Sequence, residues 1–271
     1  MTIRLVATDL DGTFFGADHT PTPANVAAIN SARAAGLTVV AISGRSHFFG
    51  AAMAVSNGAD LQWFMGSNGG HRYNYASGVL EERLTFPTAE VHTMLSDLTG
   101  QLGDVGFGFE VEDGVVWDER FLALSPTTFG GAPRVGFHRD ASTLDEIGKV
   151  FVAHPELTTV DLVQRTEPCI DPGHNVTTSG ASFVEITPAG ADKGAALSRL
   201  CDRLGITASE VLAFGDNQND LTMLRWAGRG VAMGNALPMV QAVADEIAPP
   251  NTDDGVAQVI LALLSDMAGH R

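Results

Sequence analysis

Apolar residues fall into short uninterrupted runs before about residue 84 and after about residue 184, and into broken, alternating runs between. The first run, Leu5-Val6-Ala7-Thr8, predicts a buried strand ending at Asp9, with Gly12 turning the chain just beyond. Pro23 to Ala35 then carries Val26, Ile29 and Ala32 at helical spacing, with Gly36 as its stop. Leu37 to Ile42 predicts a second strand, His47 to Val55 a helix, and Leu61 to Met65 a third strand. Strands alternating with helices make a doubly wound, Rossmann-like parallel sheet of the α/β class. Each of the three strands runs out into small polar residues or glycines: Asp9-Leu10-Asp11-Gly12-Thr13, Ser43-Gly44-Arg45 and Gly66-Ser67-Asn68-Gly69-Gly70.

In the middle the period changes. A helix from Thr88 to Leu98 leads into short strands, Val105 to Val111 and Val115 to Asp118. A helical stretch from Thr143 to Ala153 then precedes a further short run, Thr158 to Gln164. This texture predicts an antiparallel α+β unit inserted into the first, with 84–184 as the insert and 1–83 with 185–271 as the core. From Glu185 the first pattern resumes. Asp192 to Leu204 is a helix, Glu210 to Phe214 a buried strand ending in Gly215-Asp216-Asn217-Gln218-Asn219-Asp220, and a helix through Leu221 and Trp226 follows. Gly230 to Met233 is a short strand, and Asp254 to Met267 a last helix whose single apolar stripe is core packing.

Composition excludes more than it identifies. At 271 residues with 45% hydrophobic and 18% charged residues, the chain is an ordinary globular protein large enough for one big domain or two smaller ones. Its formal charge of −16 argues against nucleic acid or an anionic membrane as partner, and means that an anionic substrate must be held by a few placed cations or a metal. Cys169 and Cys201 form neither a metal-type spacing nor a disulfide framework. Residues 1–20 lack an apolar signal core, and no window approaches ~18 uninterrupted apolar residues, so the expectation is a cytoplasmic protein, monomeric or weakly dimeric.

Candidate chemistry gathers at the strand ends. Asp9 and Asp11, two apart in extended chain, project from one edge, and two crowded carboxylates cannot both ionise cheaply. Either one takes up a proton or a cation sits between them. Ser43, Lys193 and the Asp216–Asp220 cluster share that topological position, where open α/β sheets bind their ligands. Each also has a plainer use: Ser43 or the acidic cluster as helix caps, Lys193 as a solvated residue at a helix start, although a cation there opposes the helix dipole.

Taken together, Asp9-Leu10-Asp11-Gly12-Thr13, Ser43-Gly44-Arg45, Lys193-Gly194 and Gly215-Asp216-Asn217-Gln218-Asn219-Asp220 resemble the four ordered motifs of the haloacid dehalogenase superfamily of phosphatases. The run Val231-Ala232-Met233-Gly234-Asn235-Ala236, the later Asp254-Gly255-Val256 and Asn68-Gly69 are similar to its Cof-type branch. The resemblance covers about 170 residues, both halves of the core; the middle matches only as an inserted cap, which in such proteins selects the substrate. It implies that Asp9 attacks phosphorus and becomes an aspartyl-phosphate, and that Asp11 protonates the leaving alcohol and then deprotonates water. It implies Mg²⁺ held by the Asp9 carboxylate, the Asp11 carbonyl and Asp216, with Asp220 orienting Lys193 or a metal-bound water. Ser43 and Asn219 would bond the phosphoryl oxygens, Lys193 would balance their charge, and Gly44, Arg45 and Asn68 would contact substrate.

The implied substrate is a small phosphate monoester, a sugar phosphate first, with phosphorylated cofactors such as pyridoxal phosphate or flavin mononucleotide open beside it. Asp11 favours phosphate chemistry over dehalogenation, because a halide needs no acid to leave. Alternatives are a phosphomutase or phosphotransferase on the same scaffold, whose second phosphate would need cap cations, or a phospholigand-binding protein without turnover. Arg120, Arg134, Arg139 and Arg165 are available for the former but form no motif; His174, Asn175, Arg165, Trp117 and Arg120 are candidates to line a substrate pocket.

Overall fold

The computed structural model of the protein describes residues 2–112, 114–125, 134–135, 144 and 146–269. The chain divides into two compact units, between Glu82 and Arg83 and again between Ala191 and Asp192.

The first unit contains β1 (Leu5–Thr8), α1 (Pro23–Ala34), β2 (Thr38–Ile42), α2 (His47–Ala54), β3 (Trp63–Gly66), β4 (His71–Asn74) and β5 (Val79–Arg83). After the second unit it resumes with α6 (Lys193–Leu204), β12 (Val211–Gly215), α7 (Leu221–Trp226), β13 (Arg229–Ala232), α8 (Pro238–Gln241), β14 (Glu246–Ile247) and α9 (Gly255–Gly269). The eight strands form one sheet in the order β14-β13-β12-β1-β2-β3-β4-β5. From β14 to β3 all neighbours are parallel; β4 joins β3 antiparallel. All residues of β1 and β12 are buried, which is why these strands read as continuous apolar runs.

Strand order reverses at β1: the chain first moves outward through β2 and β3, then returns to β12 on the other side of β1 and moves outward through β13. Right-handed crossovers in opposite directions put their helices on opposite faces. Accordingly α1 packs with α9, and α6 with α7. Such a reversal is the point at which open α/β sheets place their ligands, at the carboxyl edge. Register levels that edge, with Thr8 beside both Ala41 and Phe214.

The second unit contains α3 (Thr88–Leu102), β6 (Gly106–Val111), β7 (Gly114–Trp117), α4 (Glu119–Leu124), β8 (Arg134–Val135), β9 (Lys149–Ala153), α5 (Thr159–Thr166), β10 (Asn175–Thr177) and β11 (Val184–Thr187). Its sheet runs β10-β11-β9-β6-β7-β8, with antiparallel pairing except between β7 and β8. Alternate residues Phe107, Phe109, Val150, Val152, Val184 and Ile186 join Val91, Leu98 and Leu162 in one apolar cluster, so α3 and α5 cover one face of this sheet.

Three sequence expectations change. The helix expected over Thr143–Ala153 is instead, over Lys149–Ala153, the strand β9, paired on both sides by β6 and β11 and buried at every residue. A strand buried on both faces shows no alternation, and its apolar run cannot be told from a helix segment by period. Thr158–Gln164 is helical as α5, because the Thr158 side chain caps it by accepting from Asp161 N (3.2 Å) and Leu162, Val163 and Thr166 share its buried face. The border expected at 184/185 falls after Ala191, since β11 pairs within the second sheet. The sequence also gave no sign of β4, β5 and β14, which are polar or very short. Among the described residues no helix is long and apolar enough to cross a membrane, and both cysteines are free thiols.

Candidate active site

The loops at the carboxyl edge are joined by two chains of hydrogen bonds. The first starts at Asp9, the residue after β1, whose backbone N–H donates to Phe214 O of β12 (3.0 Å). Lys193 Nζ donates to Asp9 Oδ1 (2.6 Å) and to Asp220 Oδ1 (2.5 Å), and all three side chains are buried. Lys193 is the first residue of α6, which Asp192 caps by accepting from Ala195 N (3.0 Å). An ammonium at that end opposes the helix dipole, and the two carboxylates offset the cost.

Asp220 Oδ2 accepts from the backbone N–H groups of Asp216 and Asn217 (both 2.9 Å), folding the loop after β12 back on itself. Thr13 Oγ1 donates to Asp216 Oδ1 (2.6 Å), tying that loop to the one after β1. Gly12 has φ +82°, and a Cβ there would collide with the Asp216 carboxylate; the glycine is required twice over. Asn235 Nδ2 holds Gly12 O (2.8 Å) from the loop after β13.

Carboxylate oxygens of Asp9, Asp216 and Asp220 lie within 4.8 Å of one another. Burial pushes the Asp9 carboxyl well above its ordinary pKa; Lys193 opposes this, while Asp220 and Asp216 add to it. Burial, then the Asp220 charge, pushes Asp216 up to about 7, against the Thr13 hydrogen bond and Lys193. Burial would lower the Lys193 pKa, but Asp220 and Asp9 outweigh it and raise the value. Three carboxylates thus share one ammonium, and the surplus negative charge in a buried cluster is what a bound cation would relieve. The donor set, all carboxylate oxygen, suits a hard divalent ion.

The second chain starts at Asp11. Arg45 Nε donates to Asp11 Oδ2 (2.6 Å) and Nη2 to Oδ1 (2.8 Å), and His19 Nδ1 lies 2.9 Å from Oδ1. Burial alone would raise the Asp11 pKa, but the Arg45 hydrogen bonds and charge, with His19, leave it below its ordinary value. Arg45 N donates to Ser43 Oγ (3.1 Å), Asn68 N to Ser43 O (3.0 Å), and Asn219 Nδ2 to Asn68 Oδ1 (2.9 Å). Asn219 Oδ1 is buried with no hydrogen-bond partner. The loop carrying Asn68 is pressed against α6, where a Cβ on Gly69 (φ +95°) would strike Ala196.

Asp9, Asp11, Ser43, Gly44, Arg45, Asn68, Lys193, Asp216, Asn219 and Asp220 therefore all sit on loops at one sheet edge or at the first residue of α6. Both Asp220 oxygens are engaged by Lys193 and the backbone, which suits orienting the lysine better than direct metal ligation. Thr13 and His19 were missed as functional candidates; Thr13 lies inside the first motif, but nothing local marks His19.

Four of the five pocket candidates of the second unit have structural partners there, and Arg165 is exposed on α5. His174 Nδ1 accepts from Ala189 N (2.9 Å), and its Nε2 bonds Glu90. Trp117 is buried and stacked on Phe121, Arg120 pairs with Asp104, and Asn175 Nδ2 donates to Pro188 O (3.5 Å). Arg139 and the side chain of Arg134 lie outside the described residues.

Fold and site define a doubly wound α/β protein with a carboxylate–lysine centre at the switch point of its sheet. The chain belongs to the haloacid dehalogenase-like hydrolase family, which matches residues 6–260, and it is a phosphatase of the Cof-type branch. The pyridoxal phosphate phosphatase YbhA of Escherichia coli (strain K12) is 29% identical, the match covering 97% of this chain and 100% of that protein. An HMP-PP phosphatase of Yersinia pseudotuberculosis serotype O:1b (strain IP 31758) is 30% identical over 88% of this chain and 86% of its own. The solved structure of the phosphatase BT1666 from Bacteroides thetaiotaomicron matches with TM-score 0.81 at 22% identity, covering 97% of this chain and 95% of that one, which bears on the fold alone. The relatives imply a small phosphorylated molecule as substrate, and phosphatases of this superfamily generally use a metal ion.

Proposed function

We propose that the protein is a Mg²⁺-dependent phosphatase that hydrolyses a small phosphate monoester through an aspartyl-phosphate on Asp9. The observation that carries this is Lys193 bridging Asp9 and Asp220 within a buried cluster of three carboxylates. Asp9 attacks phosphorus, the P–O bond to the ester oxygen breaks, and Asp11 delivers a proton to the departing alcohol. Asp11 then takes a proton from water as the water oxygen attacks phosphorus; the bond to Asp9 breaks, inorganic phosphate leaves and both aspartates are restored. Ser43 Oγ–H and the second N–H of Asn219 Nδ2, whose first is taken by Asn68 Oδ1, donate to the phosphoryl oxygens. Lys193 offsets their charge while held by Asp220. Asp9, the Asp11 carbonyl and Asp216 would hold a Mg²⁺ ion, which when bound would keep Asp9 ionised and supply positive charge beside the transferring group.

Phosphate-monoester hydrolysis can require up to ~10²¹-fold acceleration, of which acid–base catalysis supplies ~10²–10⁴, so electrostatic stabilisation must carry much of the rest. For substrate, a sugar phosphate is the first choice. Pyridoxal phosphate is the second, since a relative matched along nearly the whole chain is named for it.

A panel of phosphometabolites, assayed with Mg²⁺ and with chelator, tests the reading. We expect free phosphate release that stops with chelator. Asp9→Asn should lower turnover by at least ~10⁴-fold without unfolding the protein, and labelled phosphate should be trapped on the wild-type protein but not on this variant. Transfer to a sugar acceptor without free phosphate would make it a mutase; binding without turnover would make it a binding protein.

A further inference from the structure

The family resemblance implies that Arg45 contacts substrate, but its guanidinium is engaged by Asp11. Nε and Nη2 form a two-bond fork on Asp11, one nitrogen to each carboxylate oxygen, at 2.6 and 2.8 Å. The fork stands on a fixed base. Arg45 N donates to Ser43 Oγ (3.1 Å) and Arg45 O accepts from Ser67 N (2.9 Å), so its backbone is tied to both neighbouring loops of the edge. His19 adds a contact to Oδ1 alone, at 2.9 Å, from a backbone with φ 57°. Of the two Asp11 oxygens, Oδ2 has a single short bond, to Nε, whereas Oδ1 is shared between Arg45 Nη2 and His19.

From this geometry we infer that Arg45 is the positioning residue for Asp11: the two-bond fork, one nitrogen to each oxygen, fixes the plane of the carboxyl group at the sheet edge. The inference rests on the role given to Asp11 under Proposed function. A protonated carboxyl keeps one carbonyl-type oxygen, so Oδ2 continues to accept from Nε whether or not a proton is present. Without the fork only the His19 contact holds the carboxyl group, and a misplacement of about 1 Å costs on the order of 10²-fold. A lysine at position 45 supplies a point charge but not two parallel N–H groups, so it cannot set a plane.

The test uses kcat/KM, which reports only the steps up to departure of the alcohol. It is measured on an alkyl phosphate, whose leaving group needs a proton, and on an aryl phosphate with an acidic phenol, which needs none. Arg45→Ala should lose ~10- to 100-fold on the alkyl ester and no more than about threefold on the aryl ester. Guanidinium ion in the buffer should restore part of the alkyl rate, and Arg45→Lys should not. Equal losses on both esters would make Arg45 a phosphate-binding residue and overturn the inference, as would an unchanged alkyl rate or the absence of rescue. Asp11→Asn, run alongside, separates the two claims. If it fails to discriminate between the esters, the acid role itself is wrong; if it discriminates and Arg45→Ala does not, only the positioning role falls.

Discussion

Each unit buries a lysine in an ion pair, and the two are built in different ways. In the first unit Lys193 stands at a helix start and meets Asp9 and Asp220 from loops that follow two strands. In the second, Lys149 lies within β9, donates to Glu185 Oε2 of the neighbouring β11 (3.0 Å) and has the Phe151 ring 5.4 Å from its ammonium. Ser179 Oγ completes that group on Glu185 Oε1 (2.7 Å). Lys149, Phe151 and Glu185 are the residues that alternate with Val150, Val152, Val184 and Ile186, so they occupy the sheet face opposite the apolar cluster. The Lys193 group sits where backbone direction changes and a ligand can approach; the Lys149 group sits inside regular pairing. The difference teaches that a buried ion pair is no marker of catalysis by itself. What separates the two is the topological position and the crowd of carboxylates at the sheet edge.

The largest expected effect sets the two lysines against each other. Lys193→Met should reduce turnover by ~10³-fold or more, whereas Lys149→Met should keep its chemistry and lose ~3–5 kcal/mol of stability, read by urea melts and steady-state assays on both variants. A Lys149→Met protein that melts normally but has lost turnover would erase the distinction.

A smaller effect concerns pH. The Asp216 carboxyl is raised from its ordinary 3.8 to about 7, so the folded protein retains a proton there that the unfolded chain releases. Without metal, that residue's contribution to stability should therefore fall as pH rises from about 4 to about 7 and level off above. Bound Mg²⁺ competes with the proton, so the increase in Tm on adding it should be larger at pH 7.5 than at pH 5.5. A metal-induced shift independent of pH would remove Asp216 from the metal site. No such metal dependence is expected from the Lys149 group. The smallest effect probes the helix that carries Lys193. Asp192→Ala removes its N-cap and should cost about 1 kcal/mol in urea melts, with kcat changed only a few-fold; a large fall in kcat would mean that helix register is as important as the lysine itself.

The two regions also differ in how far they could be read from sequence. Asp9-x-Asp11-Gly12-Thr13 and Gly215 to Asp220 are contiguous because a loop after a strand must supply several ligands at once, so their chemistry is written locally. Lys149 and Glu185 meet only through the register of β9 against β11, and nothing near either residue announces the other. The same cause explains the helix wrongly expected over Thr143–Ala153: pairing on both sides turned Lys149–Ala153 into a central strand. Arg45 is an intermediate case. Its motif was visible, but its partner, Asp11, lies on another loop, and the fork between them was decided by how those loops pack.

Sequence alone determined the parallel core, the order of its strands along the chain and the identities of the edge residues, because buried strands demand apolar runs and tight turns demand glycine and small polar groups. Tertiary structure decided which side chains touch: that Lys193 bridges two carboxylates, that Asp220 is spent on the lysine and backbone, and that Arg45 serves Asp11. Those pairings depend on distances between segments far apart in the chain, set by strand register and loop packing, and no local pattern encodes them.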